Sequence, residues 1–164
     1  MKKKNEDSLR GKGEIYRNYA IEQRRTMKMR DNERALLEII QNLDSKYLGL
    51  VVVVEGDRDV KVLRDLGVKA IIIKTQTKLP RYRMIEQIVE KAGKQGKILI
   101  LTDFDLEGKE LSRYIEKALE ATGIKTLKGV RIRIRNLMGN WRCIEELVSL
   151  FKRRDSPEQD PTPT

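Results

Sequence analysis

The chain has 164 residues, one ordinary domain with short extensions, and its 39% hydrophobic residues supply one modest core. It contains no histidine, which excludes a Ser-His-Asp triad, a Cys-His pair and a histidine-ligated zinc, and its single cysteine, Cys143, excludes an intrachain disulfide. Charged residues reach 37% and the net charge is +10, so an anionic partner is expected, nucleic acid first, against the alternative of a crowded, heat-adapted charged surface.

No apolar run approaches the ~20 residues that cross a membrane. The first residues, MKKKNEDSLR, lack the apolar core of a signal peptide. The expected compartment is the cytoplasm, with no membrane partner.

Residues 1–13 are polar, basic and interrupted by glycine, and read as a flexible arm. Residues 14–45 read as an N-terminal helical extension. Leu36, Ile40 and Leu43 recur at spacings of four and three, and Leu37 and Ile39 widen that stripe. The basic stretch from Gln23 to Met29 marks a separate helix or a break, with Met27 and Met29, like Trp141, read as core.

The period then changes. Residues 50–54, 70–73 and 98–101 are continuous apolar runs rich in β-branched residues, the habit of parallel strands buried on both faces. Helical stretches over 59–66, 81–92 and 108–121 come after them, each closed by a glycine, Gly67, Gly93 and Gly123. Residues 130–135 alternate arginine with apolar residues and predict a fourth strand near an edge. A last helix is expected over 141–152, capped by Asn140. The proline-rich tail 155–164 predicts disorder. Residues 46–154 thus read as one α/β domain with a four-stranded, mainly parallel sheet flanked by helices.

In such sheets ligands gather beyond the carboxyl ends of the strands. Glu55-Gly56-Asp57-Arg58-Asp59 comes after the first strand, and Thr102-Asp103-Phe104-Asp105-Leu106-Glu107-Gly108 after the third. If those strands are adjacent, two acidic clusters converge. Asp103 and Asp105 leave the same side of an extended segment and offer the hard oxygens that Mg²⁺ prefers. Gly56 and Gly108 allow a sharp backbone turn into a helix. The plainer alternatives are that Asp57 caps a helix and Asp59 complements its dipole. An EF-hand is disfavoured because its twelfth position is Tyr114, where a bidentate glutamate is needed.

The two motifs together, Val-Val-Glu55-Gly-Asp-Arg-Asp59-Val and Leu-Thr-Asp103-Phe-Asp105-Leu-Glu-Gly108, resemble the topoisomerase–primase (Toprim) family over about residues 48–136. The resemblance implies a Rossmann-like sheet, acid–base catalysis by Glu55, and Mg²⁺ (with Mn²⁺ a possible substitute) held by Asp103 and Asp105, with Asp59 as auxiliary ligand. The chain is too short for a topoisomerase or a bacterial primase. It is similar to the small stand-alone members, among them the ribonuclease that matures 5S ribosomal RNA, although about 45 residues here precede the module.

The expected function is therefore an Mg²⁺-dependent nuclease that hydrolyses phosphodiesters, with structured RNA such as a ribosomal RNA precursor favoured over DNA. The alternatives are a nucleic-acid-binding protein that works only within an assembly, and a phosphatase or nucleotidyl transferase acting on a small substrate. Lys74, Lys78, Arg81, Tyr82 and Arg83 leave the second strand at the acidic end and are expected to hold nucleic acid, Tyr82 by stacking on a base. Arg131, Arg133 and Arg135 on the expected fourth strand are assigned the same role.

Overall fold

The computed structural model describes residues 2–151. Helix α1 (Lys2–Gln41) and a short α2 (Leu43–Lys46) lead into β1 (Leu50–Val54). Next come α3 (Asp57–Asp65), β2 (Ile71–Lys74), α4 (Arg81–Ala92), β3 (Lys97–Ile100), α5 (Leu106–Ala121), α6 (Lys128–Met138) and a 3₁₀ turn, Ile144–Leu150. The three strands are parallel, in the order β2-β1-β3, with Val51 opposite Ile71 on one side and Ile98 on the other.

β1 is buried throughout because alternate side chains enter two cores. Leu50, Val52 and Val54 pack with Leu36 and Ile40 of α1, Leu63 of α3, Ile134 and Met138 of α6, and Leu147 of the 3₁₀ turn. Val51 and Val53 pack on the opposite face with Met84 and Ile88 of α4 and Ile115 and Leu119 of α5. The protein is a three-layer α/β sandwich with β1 at its centre.

Several features differ from the sequence expectations. The sheet has three strands, not four. Residues 130–135 lie in α6, because Val130, Ile134 and Met138 form a stripe every four residues; the alternating arginines imitate the two-residue period of a strand. What remains of a fourth strand is a single parallel bridge between Ile98 and Thr126, beside the bond from the Leu127 N–H to the Ile98 carbonyl (2.8 Å).

α1 is unbroken from Lys2, so the backbone of the expected arm 1–13 is helical from that residue and no break occurs near Gln23–Met29. Good helix formers dominate this stretch and it holds no proline. Met27 and Met29 are exposed there, not core, whereas Trp141 packs partly against the core. The expected last helix is the shorter 3₁₀ turn. The Glu146 carboxylate accepts the N–H groups of Arg142 (2.7 Å) and Cys143 (2.9 Å) and starts the turn after them, not at Asn140. The tail 155–164 lies outside the described residues.

Candidate functional site

With β1 between β2 and β3, the strand order reverses beside β1, and the crevice at the carboxyl ends of β1 and β3 is the expected ligand position. Glu55 leaves β1 there, and Asp103 lies three residues beyond β3. The Asp103 N–H donates to Glu55 Oε1 at 3.4 Å. Asp103 Oδ1 accepts the Ile144 N–H at 2.9 Å, and the Phe104 N–H donates to the Arg142 carbonyl at 2.6 Å. The stretch Arg142–Ile144 thus clamps the acidic loop from outside. Nothing in the sequence pattern marks it, because its contacts use main-chain atoms.

From inside, Thr102 is fully buried and its hydroxyl donates to the Gly108 carbonyl at 2.8 Å. Gly108 is required by a close approach and not by a turn. It sits in the first turn of α5, where a Cβ would stand 2.1 Å from the Asp103 carbonyl oxygen. At Gly56 the backbone is extended (φ −142°), and a Cβ would meet only the end of the Gln76 side chain, at 2.8 Å.

Glu55 is pushed up to about 7 from the usual carboxylate value, first by burial and then by the negative charge of Asp103 and their side-chain hydrogen bond. Asp59 is also raised, chiefly by burial, although its carboxylate accepts the Gly56 N–H at 3.1 Å. Asp105 is exposed and accepts the Gly108 N–H at 2.7 Å, which makes it the N-cap of α5. Asp57 is exposed and forms an ion pair with Lys74. Glu55 and Asp103 are therefore brought together, whereas Asp59 and Asp105 each serve a helix start.

A family model described as Toprim domain matches residues 49–128. A UPF0292 protein from Methanocaldococcus jannaschii is 34% identical over 120 residues, covering 73% of this chain and 91% of that protein. The chain belongs to the UPF0292 family and carries a Toprim domain. A UPF0292 protein from Thermococcus onnurineus is 33% identical over 122 residues, covering 74% of this chain and 86% of its own length. Among solved structures, a putative protein from Aquifex aeolicus matches with a TM-score of 0.56 and 27% identity, over 66% of this chain and 94% of that one. The fold is Toprim-like, and the domain ties this UPF0292 protein to nucleic-acid-related, metal-binding function.

Toprim domains typically bind divalent cations such as Mg²⁺, and the donor set here fits one in chemistry. All candidate ligands are carboxylates, and the crowding of Glu55 against Asp103 is repulsion that a cation relieves. Asp103 and Asp105 each give one oxygen to a backbone N–H, and a carboxylate has a second to offer. As they stand, no three His, Cys, Asp or Glu side chains among the described residues are gathered closely enough to hold an ion.

The basic residues divide. Glu55 and Arg81 border one cleft of about 180 Å³, together with Gln76 and Glu107. Lys78, Arg81, Tyr82 and Arg83 are exposed beside it; the Arg81 guanidinium lies 5.1 Å from the Tyr114 ring centre and that of Arg83 5.8 Å from Tyr82. Lys74 is occupied by Asp57.

On helix α6 the three arginines do not share one face: Arg131 and Arg135, one turn apart, border one cleft, and Arg133 turns away from it. Arg131 is turned inward. It donates to the carbonyls of Ile100 and Thr102 at 2.9 Å each and of Asp103 at 3.4 Å, and stacks 4.5 Å over Phe104. Burial, followed by repulsion from Arg135, lowers it to about 10. Arg133 faces α1 and α2, beside Glu38 and Tyr47, away from the acids.

Proposed function

We propose that this UPF0292 protein is a divalent-metal-dependent nuclease that hydrolyses phosphodiester bonds in structured RNA, with Glu55 as the proton-transfer residue. The observation that carries the reading is Glu55 itself, pushed up to about 7 beside Asp103 at the crevice between β1 and β3. A carboxyl group at that value accepts or donates a proton near neutral pH with little cost in either direction. Asp103 and Asp105, with Asp59 auxiliary, would hold Mg²⁺, or Mn²⁺ in its place. The bound cation supplies neutralisation of phosphate charge.

The remaining work falls to the chain's own residues. Arg81 borders the cleft of Glu55 and bears on a phosphate entering it. Lys78 and Arg83 extend the cationic edge, and exposed Tyr82 offers a face on which an unpaired base stacks. Gly108 lets the α5 start lie against the Asp103 carbonyl, and the clamp from Ile144 fixes the carboxylate that faces Glu55. A second reading, a nucleic-acid-binding component active only within an assembly, is favoured by the backbone duties already assigned to Asp59, Asp103 and Asp105.

The test incubates the full chain and Mg²⁺ with labelled 5S ribosomal RNA precursor, duplex DNA and a nucleotide panel. Cleavage of structured RNA that falls by about 10²–10⁴-fold in Glu55→Gln is expected. Binding without cleavage of any polymer would overturn the nuclease reading in favour of the second. Hydrolysis confined to nucleotides would point to a small-substrate phosphatase.

A further inference from the structure

On the far side of the acidic loop from the Glu55 cleft, a second cleft of about 380 Å³ opens between the edge of β3, helix α5 and helix α6. It occupies the place where a fourth strand would have covered β3, and the chain instead leaves after the single bridge at Thr126. We propose that this cleft is a phosphate-binding site sized for one nucleotide unit, either a free nucleotide or the phosphorylated end of a strand.

Its lining is cationic. Lys109 and Arg113 enter from α5 and Lys128, Arg131 and Arg135 from α6, against one carboxylate, Glu116, which is already paired with Lys128. Among the described residues, Lys109, Arg113 and Arg135 form no ion pair. Clustered cations without carboxylate partners raise the local positive potential and draw an anion to the cleft.

An independent feature marks the same cleft. The Thr126 hydroxyl is buried without a hydrogen-bond partner, and Thr126 is part of the lining. Such orphaned groups are uncommon and costly, and this one, closed off from solvent, takes a ligand oxygen only as a side chain of the cleft wall moves aside. Ile100, Leu127 and Ile132 give the cleft an apolar side, and Ile132 is exposed at 57%. Cations interleaved with aliphatic surface suit a phosphate attached to a base. The volume falls within the roughly 300–1,000 Å³ of small-ligand sites. Binding here does not depend on chemistry at Glu55.

The experiment is calorimetric titration of the full chain with inorganic phosphate, AMP, UMP, and a short RNA with and without a 5′-phosphate. At least one nucleotide-bearing probe is expected to saturate with Kd below about 1 mM and more tightly than inorganic phosphate. Arg113→Ala/Arg135→Ala should weaken it at least about tenfold, the loss of two charge-assisted contacts. Lys91→Ala/Lys94→Ala removes equal charge at the far end of α4 and should change it less than about twofold. Thr126→Val keeps the shape, should raise the melting temperature of the free protein, and should weaken binding several-fold. A preference for AMP or UMP assigns the free nucleotide, and a preference for the phosphorylated RNA over its twin assigns the strand end; both support the site. No saturation by any probe, or equal binding by the Arg113→Ala/Arg135→Ala chain, overturns it.

Discussion

Replacing Glu55 with glutamine removes a titrating group whose folded value is about 7 against an ordinary 4.5. A raised carboxyl value means that the folded state holds the proton more tightly than the unfolded chain. The resulting stability is fully present below pH 4.5 and is lost as pH rises through about 7, where Glu55 ionises beside Asp103. The full shift corresponds to roughly 3 kcal/mol, and partial solvent contact screens it to about 1–2 kcal/mol. Glu55→Gln stays neutral at every pH. Urea unfolding should therefore give the variant and the parent chain a constant stability difference below pH 4.5. That difference should shift by about 1–2 kcal/mol in the variant's favour between pH 4.5 and 8. Carboxyl-carbon NMR titration of the parent chain reads the same event directly. Parallel stability curves across that window, or a Glu55 titration near its ordinary value, would show that burial and Asp103 do not hold the proton on Glu55.

Three further outcomes are expected. Gly108→Ala should lose at least about 1–3 kcal/mol in urea unfolding because its Cβ meets the Asp103 carbonyl, whereas Gly129→Ala in α6, with nothing within 4 Å, should gain about 0.5–1 kcal/mol; equal effects would refute the close approach. Asp103→Asn keeps an acceptor for the Ile144 N–H and should leave the melting temperature nearly unchanged while weakening Mg²⁺ binding, but Asp103→Ala orphans that N–H and should cost about 1–3 kcal/mol. If Lys78, Arg81 and Arg83 contact phosphates, their joint replacement by alanine should reduce the log–log salt slope of RNA binding by about 2–3, and an unchanged slope places the strand elsewhere.

The sheet and the central pair were legible in the sequence for definite reasons. The runs 50–54 and 98–101 are continuous because both faces of β1 and of β3 are covered. Parallel strands all point their carboxyl ends the same way, which brings Glu55 to Asp103. Local chemistry marked the glycine stops as well: Gly67, Gly93 and Gly123 all have positive φ. Periodicity shared by two structures misled. Residues 130–135 alternate like a strand, while the decisive contacts, Ile134 with β1 and Met138 beyond it, recur only over a longer helical window. The clamp on the acidic loop was invisible because it uses main-chain atoms far along the chain, the Ile144 N–H as donor to Asp103 and the Arg142 carbonyl as acceptor from Phe104, which are indifferent to side-chain identity.

Arg131 shows how one misread element changes a residue's meaning. On a strand it would have faced solvent with Arg133 and Arg135; on α6 it lies one helical turn from Arg135, with which it lines one cleft, and two residues from Arg133, which turns to the opposite side. Arg131 crosses the end of β3 and collects the carbonyls of Ile100, Thr102 and Asp103, groups that a fourth strand would otherwise have approached. The acidic loop is thus held from behind by a guanidinium and from in front by the Ile144 N–H. That same guanidinium forms a wall of the cationic cleft. The missing strand accounts for both features at once: it leaves an edge for Arg131 to satisfy, and it leaves room beside that edge for an anion.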